Sequence, residues 1–573
     1  MGGHFGSREQ QIHLTILVFF PGVLFWINPN WPFQGLGHMD NWYYFGHFIH
    51  FPRYQHLVQN YQGERLPWLL PGRFLTWLLS PPYGGLALTL LTTSLALVCL
   101  YLLVKRFSDA RTALLAAFLM GGHPCFIGAN GWNYFSGGSI AYMLLAYLLI
   151  VRSHSSSYPR LMMVLAGFVW GGLIYMYIAW LIFTPVCLLM YLAGRDPSQK
   201  VLSRAGLAQV VRAAGWLGIG FGMMTALMAL LYRAIVGVPG FFFEKNVAAA
   251  RQVATFVENP YSTGNFQWIS SGAWVVFPVL ALSVSLAAVF QYRRLMDWLP
   301  FPVLLMVASY IYSASIMILM TIRQSRLLEF EYFAAILMPT LYGSLALLAL
   351  KVPPKVRLLH WLAVLLASTV ITSGALWGPY LYEKSLGQGM LYPYLLGLAG
   401  IAVWLVWPGR RFSWTLVCLL LAASGFGLVP GFTVMAYRAQ FNGLGAYSRV
   451  AQQVQVVDEH FTSRSHSADA RYPKFWINNY DHANTSEYRA VMCAFSAHGF
   501  SMYTYPNVEK GRVYKPGSEL VLITPSKDVF DDANQKMTAA GMPLALVGQD
   551  FVDDPDHPNW ITYVRILPPT APH

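Results

Sequence analysis

Apolar runs of nearly membrane-crossing length recur along most of this chain, and they limit its fold more than any other feature. They fall at 12–28, 85–104, 110–127, 138–152, 161–176, 177–194, 211–235, 273–291, 298–319, 332–350, 359–378, 391–407 and 413–435. A helix needs about 20 apolar residues to cross a hydrocarbon core of about 30 Å. Inside that core only helices and closed barrels satisfy every backbone group. The pattern therefore predicts a polytopic α-helical membrane protein with about thirteen spans. Of the 573 residues only 11% are charged, against about 25% in soluble domains.

The cations give the threading. Lys105, Arg106 and Arg111 flank one connection, and Arg195, Lys200, Arg204 and Arg212 flank another. Alternate connections are poorer in Lys and Arg. By the positive-inside rule the N-terminus is cytoplasmic, and an odd number of spans leaves the C-terminal tail outside. The inner (plasma) membrane is the expected location. No charge occurs between Arg160 and Arg195, a stretch too long for one helix and suited to a hairpin of two. The net charge of +13 is scattered between spans, so no nucleic-acid partner is expected. Five cysteines without metal-ligand spacing imply neither a disulfide framework nor a metal knot.

From about 441 to 573 the composition turns polar, and a small α/β domain is expected outside the membrane, following spans that occupy 1–440. Helical patterns occur at Tyr447–His460, Ser486–Ala497 and Lys527–Ala540, with Gly541 as a terminator. Strand patterns occur at Lys474–Ile477, Leu520–Thr524, Leu544–Val547 and Ile561–Ile566. A structural or acceptor-gating role suits it, since it has no phosphate-binding glycine loop.

Ionisable groups are scarce within the spans, which argues against an ion-coupled carrier and directs attention to the outer segments. The first, about 28–84, carries Asp40, Trp42, Tyr43, Tyr44, Arg53, Glu64, Arg65 and Arg73. Its stretch 61–74 has the character of an amphipathic segment lying on the membrane surface. The second, about 122–137, offers His123, Trp132, Asn133 and Tyr134 and no acid; the third carries Glu244 and Glu258; the fourth carries Arg323 and Arg326. Transfer of a sugar needs a base for the acceptor hydroxyl, cations for a leaving phosphate and surfaces that hold the sugar. Asp40 suits the first task. Arg323 and Arg326, with Arg65 and Arg73 behind them, suit the second. Trp42, Tyr43, Tyr44, Trp132 and Tyr134 suit the third, and the same aromatics also fit a membrane-interface belt.

The short first span, the long first outer segment with Asp40, and the Tyr, Gly, Arg and Pro of Tyr61-Gln-Gly-Glu-Arg65-Leu-Pro67 together resemble the GT-C superfamily of membrane glycosyltransferases. So does Arg326 running through Tyr332 to Pro339. The superfamily includes oligosaccharyltransferases, protein O-mannosyltransferases and lipid A aminoarabinose transferases. The resemblance implies a polyprenyl-phosphate sugar as donor, an extracytoplasmic glycan, lipid or protein as acceptor, and Tyr332 among the sugar- or lipid-binding residues. The chain departs from the pattern in two places. Asn41 follows Asp40 where many members have a second acid, and 122–137 lacks the acids that metal-dependent members use. A metal-independent transfer without cofactor is therefore favoured. A metal site would need Asp40 with Glu244 and Glu258, or with His38 and His47. Two other classes remain open: a non-catalytic scaffold or accessory subunit of a membrane complex, and a lipid-glycan ligase, polymerase or flippase.

Overall fold

The computed structural model describes residues 8–27, 40–49, 61–81, 83–121, 133–195, 203–236, 474–477, 501–502, 516–517, 519–524, 529–539, 541–552 and 559–568, with a few single residues and short pieces between them. For Asp40 to Tyr43 it describes the backbone alone. Two compact units divide the chain: one takes Met1–Leu36, Asn60–Pro71 and Leu86–Tyr437, the other Gly37–Gln59, Gly72–Gly85 and Arg438–His573.

In the first unit α1 (Arg8–Ile27) runs antiparallel to α4 (Tyr83–Phe107). Lys105 Nζ donates to Gln10, His13 Nδ1 meets Tyr101 Oη at 3.3 Å, and Ser94 Oγ donates to the Val18 carbonyl at 2.9 Å. That last bond lies beside the gap Pro21 leaves in the helix ladder of α1. Asp109 caps α5 (Ala110–Gly121) by accepting from the Thr112 amide at 2.9 Å. Helix α6 (Phe135–Arg152) and α7 (Pro159–Met176) follow. At Tyr177 the backbone is extended, with φ −158°. A 3-10 turn, Ile178–Phe183, then leads into α8 (Thr184–Gly194). His154, past the end of α6, bonds the Tyr191 carbonyl near the end of α8 at 2.8 Å. The chain therefore turns back at Tyr177, and the charge-free stretch is a hairpin.

Ser203 caps α9 (Arg204–Val236), accepting from the Gly206 amide at 3.1 Å. Helices α7 and α9 lie side by side and parallel, on glycine contacts. A Cβ on Gly167 would overlap the Leu217 carbonyl, and one on Gly220 would overlap the Val164 carbonyl. Small residues at such contacts bring helices together where lipid supplies no hydrophobic drive. Among the described residues α4, α6, α7 and α9 are long and apolar enough to cross a membrane. The expected spans at 273–291 and from 332–350 to 413–435 lie outside the described residues, and of 298–319 only a few helical residues between 308 and 316 are described.

The described residues of the expected first outer segment are largely helical. It contains α2 (Asp40–Ile49), a 3-10 turn at Tyr61–Glu64 and α3 (Leu66–Leu79). In the stretch expected to lie on the membrane surface, the first turn of α3 is packed against the protein: Arg65, Leu66 and Trp68 are each 2% exposed and Leu69 0%, while Phe74 is 58% exposed. Pro71 sits within α3 and has no N–H to give the Pro67 carbonyl. The Tyr142 hydroxyl donates to that carbonyl at 3.1 Å, so a residue of α6 supplies the bond the helix lacks.

In the second unit the residues after 473 form a five-stranded sheet ordered β2-β1-β3-β5-β4. The strands are β1 (Lys474–Ile477), β2 (Ser501–Met502), β3 (Glu519–Thr524), β4 (Leu544–Val552) and β5 (Asn559–Ile566). Strand β1 pairs parallel with β2 and β3, while β5 pairs antiparallel with β3 and β4. Helix α10 (Val529–Ala539) buries Ala533 and Met537 against Leu522, Leu544, Val564 and Ile566. It ends at Gly541, whose φ of +77° favours glycine. The Met542 amide reaches back to the Met537 carbonyl at 2.8 Å. Of the other expected helices, Ser486–Ala497 lies outside the described residues, and Tyr447–His460 is seen only as short helical pieces near its end.

Candidate functional site

Of the expected cations Arg65 and Arg73 lie among the described residues, and Arg65 is the more enclosed. It lies between the 3-10 turn and α3, and its guanidinium carbon is 3.9 Å from the Phe135 ring centroid and 5.8 Å from that of Tyr177. A desolvated guanidinium over an aromatic face gains about 2 kcal/mol. The stack also fixes the plane of the fork, which suits two-point contact with a phosphate. Phe135 opens α6 and Tyr177 breaks the α7–α8 hairpin, so Arg65 sits where interruptions of the helices meet.

Trp68, one turn along α3, donates from Nε1 to the Asn133 carbonyl at 2.7 Å. Its ring lies against Gly138, where a Cβ would stand 2.5 and 2.6 Å from ring carbons. Asn133 has φ +60°, a conformation asparagine tolerates better than most residues. Asn130 donates from Nδ2 to the Phe126 carbonyl at 2.7 Å, and its side chain lies over Gly137. Asn130, Asn133, Ser136 and Gln62 are all buried. Of these only Asn133 was named from the sequence. The signal for the rest is faint: an apolar span that starts with the polar and small run Ser136-Gly137-Gly138-Ser139.

Arg73 takes a different part. It donates from Nη1 to the carbonyls of Phe48 and Ile49, at 2.8 Å for Phe48, and so closes the C-terminal end of α2. Gly72 beside it admits the Phe48 ring, which a Cβ would overlap. Tyr44 and Tyr134, expected as sugar or lipid walls, are 0% and 3% exposed. Asp40 begins α2, with Trp42 and Tyr43 in its first turn. Trp132, Tyr332, Arg323, Arg326, Glu244, Glu258 and His38 lie outside the described residues. Among the described residues no three His, Cys, Asp or Glu side chains come together as metal ligands would.

No protein-family model and no curated protein matches the sequence. Solved structures do. ArnT from Cupriavidus metallidurans in the apo state aligns at a TM-score of 0.53 and 13% identity, over 96% of this chain and 97% of that one. The same protein bound to undecaprenyl phosphate aligns at 0.50 and 14%, over 97% and 98%. The chain shares the fold of these two structures. An Archaeoglobus fulgidus oligosaccharyltransferase aligns more distantly, at 0.44 and 14% identity over 93% of this chain and 71% of that one. The likeness is one of fold, and among the described residues four helices are long and apolar enough to cross a membrane.

Proposed function

We propose that the protein is an integral-membrane glycosyltransferase that moves a sugar from a polyprenyl-phosphate carrier to an extracytoplasmic acceptor. The observation that supports this most is the likeness to ArnT across nearly the whole of both chains, one of the two structures holding undecaprenyl phosphate. The buried Arg65 in its aromatic setting adds to it. In this reading about thirteen helices cross the inner membrane, the N-terminus is cytoplasmic, and the residues from about 441 form an α/β domain outside. The acceptor is a surface glycan, a lipid or a protein.

The acceptor hydroxyl oxygen attacks the anomeric carbon while the bond from that carbon to the phosphate oxygen breaks. The electron pair leaves with the polyprenyl phosphate, whose charge Arg65, Arg323 and Arg326 offset. The hydroxyl proton passes to the carboxylate of Asp40. The second outer segment carries no acid, so we assign the transfer to a metal-independent mechanism.

The test is turnover of the reconstituted full-length protein with a panel of polyprenyl-phosphate sugars, with and without EDTA. Asp40→Asn is expected to abolish release of polyprenyl phosphate while leaving expression and folding intact, and EDTA is expected to have no effect. Wild-type rates in Asp40→Asn remove the mechanism, and EDTA-sensitive turnover removes its metal independence.

A further inference from the structure

Around the first turn of α6, three buried side chains carry hydrogen-bonding atoms with no partner among the described residues. They are Oδ1 of Asn130, both Oδ1 and Nδ2 of Asn133, and Oγ of Ser136. Asn130 is 2% exposed, Asn133 and Ser136 0%. Buried polar atoms are almost always paired, because each unpaired one forfeits its hydration. Three such residues within 130–136 amount to more than a packing irregularity. The neighbouring geometry is held firmly: Trp68 fixes the Asn133 carbonyl, and Asn133 itself sits at positive φ. Strained backbone that its surroundings over-determine is concentrated at functional sites.

The chemistry of the open atoms selects the ligand. Asn130 spends its amide N–H on the Phe126 carbonyl, which leaves its oxygen as an acceptor. Asn133 offers one acceptor and one amide donor group, and the Ser136 hydroxyl turns either way. A phosphate, whose oxygens only accept, would leave the two amide oxygens unpaired, so the set calls for a group that both donates and accepts. A metal cation would want carboxylates, and 122–137 has none. Hydroxyl groups fit, since each both donates and accepts. Arg65 stands on the ring of Phe135, within the same turn.

We infer that Asn130, Asn133 and Ser136 form a sugar-hydroxyl site, which reads the glycosyl group of the donor while Arg65 holds its phosphate. The inference rests on the donor assignment proposed above and adds to it. It makes the first turn of α6 the element that separates a glycosylated lipid phosphate from the bare lipid phosphate.

The experiment measures binding to the full-length protein in nanodiscs. The probes are undecaprenyl phosphate and undecaprenyl phosphate bearing glucose, mannose, N-acetylglucosamine or aminoarabinose. Wild type should bind at least one glycosylated lipid more tightly than the bare one. Asn133→Gly suits the positive φ and removes both open atoms; Ser136→Ala removes one hydroxyl in a position alanine fills. Each should weaken the preferred glycosylated lipid about tenfold and leave undecaprenyl phosphate unchanged, which also shows that the variant is folded. Equal loss for both lipids, no loss in either variant, or a wild type blind to the sugar overturns the hydroxyl site while leaving the lipid-phosphate reading intact. A wild type that binds none of these lipids overturns both.

Discussion

Replacing Arg65 separates a phosphate ligand from a structural strut. Its guanidinium is 2% exposed and stacked 3.9 Å from the Phe135 centroid. Lysine keeps the charge but loses the planar stack and the rigid fork. The stack, worth about 2 kcal/mol, is made with or without lipid and is read in the melting temperature; in binding, lysine loses one of the two charge-assisted hydrogen bonds of the fork, worth about 1.5–2 kcal/mol, or about 10- to 30-fold in an equilibrium constant. Arg65→Lys should therefore raise the dissociation constant for undecaprenyl phosphate by about 10- to 30-fold. Arg65→Gln removes the charge as well. Losing one member of a buried charge pair costs about 2–5 kcal/mol, so the loss should reach about 100-fold or more. The assay is lipid binding in nanodiscs, with melting temperature measured alongside. The variants should order as wild type, then Lys, then Gln. If Arg65→Gln binds the lipid as wild type does while melting at lower temperature, Arg65 is a strut and the phosphate assignment is wrong.

Other consequences follow from packing and burial. Gly167→Ala and Gly220→Ala each force a Cβ into a backbone carbonyl of the facing helix; each should cost about 1–3 kcal/mol and lower the melting temperature in detergent. Gly215→Ala and Gly218→Ala meet open space on the same helix and should not; equal melting points across all four would refute the contact argument. Burial holds the His154 imidazole below its ordinary value of 6.5, the Tyr191 carbonyl partly opposes this, and Arg195 and Arg106 push it further down. The unfolded chain therefore takes up a proton below about pH 6.5 that the folded one resists, so stability falls as pH drops through that value. Part of the loss in melting temperature between pH 7.5 and 5.5 should disappear in His154→Gln, and an unchanged pH profile would count against it.

Elements whose signal is local were legible in the sequence. The spans closed by Lys105 and Arg106, or opened after Arg160, have both the apolar run and its cationic edge. The hairpin followed from charge spacing alone, since a single helix from 160 to 195 would overrun the bilayer. In the tail, β1 coincides with its apolar run. Strand β4 extends to Val552, beyond the expected Val547, because the register shifts between Leu546 and Gly548 and a bulge resets the alternation that sequence patterns track. Strand β2, two residues long, offers no periodicity to detect. The first outer segment misleads for a physical reason. Its prolines and glycines read as loop, yet Pro71 is accommodated within α3 because Tyr142, distant in sequence, bonds the orphaned carbonyl. Burial of Arg65 is likewise decided by partners far along the chain, Phe135 and Tyr177. The sequence presents Arg65 and Arg73 alike, and only the fold distinguishes a guanidinium stacked on aromatic rings from one bonded to carbonyls.

The location of Arg65 is explained by what interrupted backbone costs in a membrane. Unpaired peptide groups are expensive in hydrocarbon, so breaks survive where protein or a cavity lines them. Here the backbone breaks beside Arg65, turns at positive φ at Asn133 and runs extended at Tyr177. These three breaks share one set of contacts: Arg65 lies on Phe135 and Tyr177, and Trp68 holds Asn133. Each alone would be a liability; together they bring a cation, aromatic faces and buried amides to one end of otherwise apolar helices. Continuous helices would pack at lower cost and would leave no polar group there. In the function proposed above, the interruptions place a polar recognition surface against a lipid-borne substrate, with α6 and α7 as the rigid walls that carry it.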